Sequence, residues 1–281
     1  MLRTLIVCAF LVSNVTMAKA DDELRQAMTF YASFDQSADA DFAKGDRQIY
    51  TLDKFGGSKV VPGIQIEQAV WDSDDGRWGG SLDFRDNSES IVMFQGNQNM
   101  PYGDGFSATI SFWMLLTPEI DLKPGYVDPI QVTDKKWNDA SIFVDFSQEN
   151  PRDFRLGCFS DYKHWNPTDI KWEELADSDR PLVTVKKPDF SRERWVHVVI
   201  VLEDMNREPS YARLYLDGRL QGTHLGPHQI SWDPEQVRIM LGIKYIGRLD
   251  DLAIFDRALT LKQIRQLAEF KGGLRDLLKH Q

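Results

Sequence analysis

The stretch that most constrains the fold runs from Gly247 to Leu259: Gly-Arg-Leu-Asp-Asp-Leu-Ala-Ile-Phe-Asp-Arg-Ala-Leu. Its centre alternates, with Asp250, Leu252 and Ile254 on one side and Leu249, Asp251, Ala253 and Phe255 on the other, the period of a β-strand. Two adjacent acids stand inside this apolar run, so one carboxylate must face the core side or a cation. An ionised carboxylate is costly to bury unless it is paired, hydrogen-bonded or metal-bound. Behind the strand, Thr260-Leu261-Lys262-Gln263 has the spacing of a capping box, which predicts a helix starting at Leu261. Leu261, Ile264, Leu267 and Ala268 form its stripe, Gly272-Gly273 ends it, and residues 271–281 read as a short amphipathic tail with Leu274, Leu277 and Leu278.

Elsewhere the chain is built from short strands. Met28 to Phe34 alternates, with Met28, Phe30, Ala32 and Phe34 on the core face and Asp35 closing the run. Phe106–Leu115, Ser141–Phe146, Phe154–Ser160, Trp195–Leu202, Tyr211–Leu216 and Val237–Gly242 are further strands, and Asp217-Gly218 is the preferred two-residue hairpin turn. Residues 118–189 are the least regular part, rich in aromatic loops.

The Gly247–Leu259 run resembles the closing segment of laminin-G-like jelly-roll domains of the concanavalin A-like lectin/glucanase superfamily, in which a Gly-x-Ile-Asp-Asp/Glu-Val-x-Ile-Tyr-Asn-Arg-Ala-Leu strand precedes a short helix. Thr109-Ile110-Ser111-Phe112-Trp113, then Trp195-x-His197-Val198 and Leu214-Tyr215-Leu216-Asp217-Gly218, are similar to the family's central strands. The resemblance implies an all-β fold: a two-sheet antiparallel jelly-roll β-sandwich over residues 28–270, with a lead-in at 21–27 and a short C-terminal helix. Many short strands, Gly-rich turns and a single terminal helix fit that architecture. The segment 118–189 departs from the family's usual length and reads as an insertion-bearing rim.

The start, Met1-Leu2-Arg3 followed by the apolar Leu5–Val12 and Ala18-Lys19-Ala20, reads as a secretory signal peptide over residues 1–20. That apolar run is far shorter than the ~20 residues a bilayer-spanning helix needs. The expected location is therefore outside the cytoplasm: secreted, periplasmic or in the cell envelope. The formal net charge is −10, and losing Arg3 and Lys19 with the leader makes it −12. Nucleic-acid binding rests on cations that neutralise phosphates, so nucleic acid is not an expected partner, and no membrane span is expected. Of two cysteines only Cys158 lies beyond the leader, which rules out an intrachain disulfide in the processed chain.

In many relatives a calcium ion joins the first and last strands. The matching positions here are Asp35 and Asp250, so the resemblance implies a structural Ca2+ between them; carboxylate and backbone oxygens are what calcium prefers. The alternative is that Asp250 and Asp251 pair with Arg248, Arg257 or a backbone N–H. Asp39 and Asp41 read as solvated loop acids. Ligand binding points to the irregular rim, where Tyr126, Trp137, Tyr162, Trp165 and Trp172 could stack on sugar rings or simply plug the sandwich edge. Trp113 and Trp195 lie on strong strands and read as core, as do His197 and Cys158. Gly226-Pro227 between His224 and His228 forbids a helical metal motif. No Glu-x-Asp-x-x-Glu run is present, Glu173-Glu174 diverge, and no catalytic residue is assigned.

The reading is a secreted, non-catalytic, lectin-like module that binds a glycan or an extracellular protein. A polysaccharide-active enzyme and a structural or adhesive envelope protein are the alternatives.

Overall fold

The computed structural model describes residues 21–278; the signal-peptide reading of residues 1–20 lies outside them. Residues 21–27, expected as a plain lead-in, form a helix (α1) because Leu24 and Ala27 find an apolar surface to cover. The strands are β1 (Met28–Ala32), β2 (Phe42–Ala43), β3 (Tyr50–Leu52), β4 (Val60–Pro62), β5 (Ala69–Asp72), β6 (Ser81–Phe84), β7 (Ile91–Gln95) and β8 (Phe106–Leu115). They continue with β9 (Val127–Thr133), β10 (Ser141–Phe146), β11 (Phe154–Phe159), β12 (Leu182–Val185), β13 (Val196–Met205), β14 (Tyr211–Leu216), β15 (Arg219–Leu225), β16 (Arg238–Ile243) and β17 (Gly247–Phe255). Short helices α2 (Pro118–Asp121) and α3 (Tyr162–Trp165) interrupt them, and α4 (Leu261–Glu269) and α5 (Arg275–Leu278) follow. No helix among the described residues is long and apolar enough to cross a membrane.

Two antiparallel sheets form a sandwich. The first has nine strands, in the order β15-β14-β13-β8-β17-β1-β2, with β6 on β17 and β5 on β6; the second has eight, β12-β11-β10-β9-β16-β7-β3-β4. The two chain ends lie side by side, as expected, with Ala32 opposite Leu252 and Met28 opposite Phe255. The core between the sheets gathers Phe30, Phe94, Phe112, Val144, Phe154, Val198 and Ile254, the inward members of alternating strands. Asp217 and Gly218 both adopt the positive φ that the β14–β15 hairpin turn requires.

Bulges correct two expectations about which way residues face. In β17 the register slips between Asp250 and Ala253, with Asp251 at φ 49°, so Leu249 and Leu252 both face the inter-sheet core while Ala253 and Phe255 face outward. A second slip between Met28 and Phe30 sends Met28 to the outer face with Tyr31. That outer face of the nine-stranded sheet is itself buried. Val199, Val201, Ala253 and Phe255 pack beneath Leu24, Ile264, Leu267, Leu274 and Leu277 of the terminal helices. The capping box forms as read, with the Gln263 main-chain N–H donating to Thr260 Oγ1 and the Thr260 N–H to Gln263 Oε1. Trp195 is another correction, since it sits just ahead of β13 and is half-buried.

Residues 118–189 are not an insertion on the rim. They supply β9, β10, β11 and β12, half of the eight-stranded sheet.

Candidate functional site

The outer face of the eight-stranded sheet divides in two. Over β3, β7 and β16 the outward residues Leu52, Ile91, Met93 and Met240 are apolar, and Phe55 from the connection after β3 and Val60 of β4 pack on them. Over β9–β12 the face is open. A groove of about 490 Å3 lies there, with Phe55 and Ile243 on the near wall and Tyr126, Trp137, Trp172 and Leu182 around the far side.

Strand register builds its floor. Asp145 of β10 pairs with Arg155 of β11, and Asp128 of β9 pairs with Ile243 of β16. A bulge between Val144 and Phe146 brings Asp145 beside Asp128, so Arg155, Asp145 and Asp128 form one row across three strands. The next row is Gly157, Phe143 and Gln131. A Cβ on Gly157 would lie 2.3 Å from Phe143 Cζ, so glycine is what lets the phenyl ring lie flat over β11, where it stacks on Phe159 at 5.5 Å.

Arg155 grips both oxygens of Asp145, through Nε at 2.8 Å and through Nη2, and the side chains are only 11% and 4% exposed. Its guanidinium also covers the Tyr126 ring at 4.9 Å. Asp128 is half-buried, and no hydrogen bond reaches its carboxylate from a described residue. Burial raises Asp128 well above the usual carboxylate range, and Asp145 adds to that, while Arg155 and Lys244 pull the other way. Asp145 is raised by burial too, but Arg155 opposes the shift through its hydrogen bonds. Arg155 therefore holds Asp145 closer to the ordinary range than Asp128, which has no hydrogen-bonded cation of its own among the described residues. Gln131 is fully buried; its Nε2 donates to Ser141 Oγ at 2.8 Å, which leaves Oε1 with no donor.

Trp137 and Tyr126 are 41% and 39% exposed, large apolar faces left open to solvent. Trp137 meets Trp172 edge-on at 5.5 Å and Phe159 at 5.7 Å, and Arg180 lies over Trp172 at 4.7 Å, holding that ring in place. Three of the five aromatic residues expected to bind ligand, Tyr126, Trp137 and Trp172, therefore line one groove. Tyr162 and Trp165 do not. Trp165 packs on Phe159 from the far side and donates to the Asn138 carbonyl, and Tyr162 donates to Asp169.

The family model of the concanavalin A-like lectin/glucanases superfamily matches residues 91–265, well over half of the chain. The chain belongs to this superfamily. Among solved structures it is similar to domain 4 of AbnA, an extracellular GH43 arabinanase from Geobacillus stearothermophilus, in complex with arabinotriose. The identity is 13%, over 86% of this chain and 98% of that one, with a TM-score of 0.54. It is also similar to the binding domain of Paraclostridial Mosquitocidal Protein 1, at 15% identity and TM-score 0.53, covering 87% of this chain but only 52% of that one. Both likenesses concern the fold. No curated protein matches by sequence.

The superfamily's fold also brings Asp35 and Asp250 together at the end of the β1–β17 pair. Asp250 is fully buried and accepts the main-chain N–H groups of Arg77 and Asp251, each at 2.7 Å. Asp35 accepts from the Gly80 N–H at 3.3 Å and from Arg275 at 2.9 Å. Burial raises Asp250 well above its ordinary range, with Asp251 and then Asp35 adding to it. Asp251 accepts the Tyr31 hydroxyl. Asp39 and Asp41 are more than solvated acids: Asp39 accepts the Ile49 N–H and Asp41 the Ser33 N–H, which shapes the loop. Among the described residues no group of three or more His, Cys, Asp or Glu is arranged to hold a metal ion.

Other titratable groups are structural. His197 is buried, stacks on Trp113 at 4.6 Å and hydrogen-bonds Ser111, and burial pushes it down to about 3. Burial pushes the Cys158 thiol up. His224 and His228 meet at 2.8 Å without a helix, because Gly226-Pro227 turns the chain back. Sequence reasoning missed Asp128 and Gln131, since Val127–Thr133 carries a proline and was not recognised as a strand. Asp145 and Arg155 were not singled out either, although both stand on strands expected from the sequence.

Proposed function

We propose that this chain is a non-catalytic glycan-binding module that works outside the cytoplasm, with the groove over β9–β12 as its binding site. The observation that carries this is the groove itself: exposed Trp137 and Tyr126 faces beside a polar floor of Asp128, Gln131, Asp145 and Arg155. Stacked rings hide the apolar face of a sugar while carboxylate and amide oxygens take its hydroxyls. The arabinotriose bound by the similar arabinanase domain supports the ligand class.

Titration calorimetry against soluble neutral, amino and acidic oligosaccharides tests the reading. Binding to at least one is expected, about tenfold to a hundredfold weaker in Trp137→Ala, since hiding a large apolar side chain is worth roughly 1.5–3 kcal/mol. Silence across the panel, or unchanged affinity in that variant, overturns it.

Hydrolysis has one observation in its favour, the side-by-side carboxylates Asp128 and Asp145. Arg155 occupies both oxygens of Asp145, which leaves that carboxylate a poor base or nucleophile. No reducing ends are expected from the same oligosaccharides.

A structural calcium at Asp35 and Asp250 is the second part of the proposal. Carboxylate oxygens fit a hard cation, and two desolvated acids, one of them raised by the charge of the other, are what a divalent ion relieves. Arg275, which now pairs with Asp35, is the competitor for that role. Calcium should raise the melting temperature, with Asp250→Asn abolishing the rise; no rise leaves Arg275 as the counter-charge.

A further inference from the structure

We infer that the groove selects glycans bearing free, protonated amino groups, as in a glucosamine oligomer, over neutral and acidic ones. This rests on the glycan-binding reading and names its ligand class.

The argument is an inventory of hydrogen-bonding groups and charge. Four acids line the groove, Glu89, Asp128, Asp145 and Glu173, against two bases, Arg155 and Lys244. Arg155 is committed to Asp145 through two hydrogen bonds and gives little to a ligand anion. The floor groups that remain unspent are acceptors. Gln131 Oε1 is buried with no donor, and a buried acceptor without a partner carries a desolvation cost of about 1–3 kcal/mol. Asp128 receives no hydrogen bond from a described residue. An ammonium group brings three N–H donors and a positive charge to these two acceptors, whereas a hydroxyl brings a single donor. A carboxylate-bearing sugar brings further acceptors to a floor that lacks donors, and meets Glu89 and Glu173 at the rim. The exposed Trp137 and Tyr126 faces complete the match, because aromatic faces attract cations as well as sugar rings.

The charges that act on Asp128 are Asp145 on β10, Arg155 on β11 and Lys244 after β16, and Glu89, Tyr126 and Glu173 are the other titratable groups lining the groove. Burial and Asp145 raise Asp128 above its ordinary range. A ligand ammonium beside it would oppose that shift, as Arg155 and Lys244 do from the protein side, and a neutral or acetylated sugar would not.

Calorimetry compares glucosamine tetramer, its fully N-acetylated counterpart, cellotetraose and a galacturonate oligomer at one pH and in one buffer. The glucosamine tetramer is expected to bind at least about tenfold tighter than the acetylated one, the size of one partly desolvated charge contact. The preference should shrink at high salt. Asp128→Asn, near-isosteric and checked by its melting curve, should lower the affinity for the glucosamine tetramer about tenfold more than that for cellotetraose, and so erase the preference. Equal binding of neutral and amino tetramers overturns this inference and leaves the glycan reading standing. Tighter binding of galacturonate also overturns it. Binding of none overturns both.

Discussion

The outer faces of the two sheets use similar strands and meet opposite fates. On the nine-stranded sheet, outward Val199, Val201, Ala253 and Phe255 make a face that water cannot be left against, and helices from both chain ends lie over it. On the eight-stranded sheet, the outward positions of β9, β10 and β11 are Asp128, Gln131, Phe143, Asp145 and Arg155, and the face stays open as a groove. Burying apolar area drives the first arrangement at roughly 25 cal/mol per Å2. The second gains little from cover, because its outward positions are largely polar and cover would desolvate Asp128 and Gln131 as well as the Arg155–Asp145 pair. The difference separates a face that carries stability from a face that stays accessible to solvent.

The largest effect that tests this contrast lies on the covered face. Phe255→Ala should cost about 3–5 kcal/mol, the range for a fully buried phenylalanine, in urea unfolding followed by circular dichroism. A loss under about 1 kcal/mol would mean that the terminal helices are loosely docked. On the open face the costly change is electrostatic. Arg155→Ala strands a nearly buried Asp145, and the expected loss is roughly 3 kcal/mol, at the low end for a broken buried pair because the guanidinium keeps some contact with water. Replacing both partners, by Asp145→Asn with Arg155→Gln, should recover much of that loss. No recovery would show that the row is held by packing and not by charge.

The covered face was the more legible of the two. Its helix announces itself by the Thr260-to-Gln263 capping box, and its last strand by the Asp-Asp-Leu-Ala-Ile-Phe alternation. What the sequence hid there was the bulge at Asp251, because one extra residue in a strand leaves no mark on composition yet reverses every side chain beyond it. The open face was legible only in part. Tyr126, Trp137 and Trp172 stood out as aromatics in irregular chain, but Tyr162 and Trp165 had the same look, and only tertiary packing separates rings that wall the groove from rings that plug the edge. Asp128 stayed hidden because Asp-Pro inside a short run reads as a turn, whereas the bulge between β9 and β10 accommodates it within the sheet.

A smaller effect sharpens the account of the open face through pH. Asp128 is raised in the folded chain by burial and by Asp145, so the folded state holds its proton more tightly than the unfolded one. Stability from this group is present below its unfolded pKa, near 4, and is lost as pH rises towards the folded value. Asp128→Asn removes that slope. The variant should therefore gain on the parent chain as pH increases from 4, measured as the difference in urea midpoints. A difference that stays flat with pH would mean that Asp128 is well solvated and the floor less dry than its geometry indicates.

The smallest expected effect lies just outside the groove, at Tyr162. Its hydroxyl donates to Asp169 on the surface beside α3, and the ring meets Trp165 edge-on at 5.7 Å, away from the groove lining. Tyr162→Phe deletes an exposed hydrogen bond and keeps the ring, so stability should move by less than about 0.5 kcal/mol. Oligosaccharide affinity should not move at all, in contrast to Trp137→Ala. If affinity falls when only this hydroxyl is lost, the ligand reaches past Trp165, and the boundary between the open face and the packed edge lies further out than the groove.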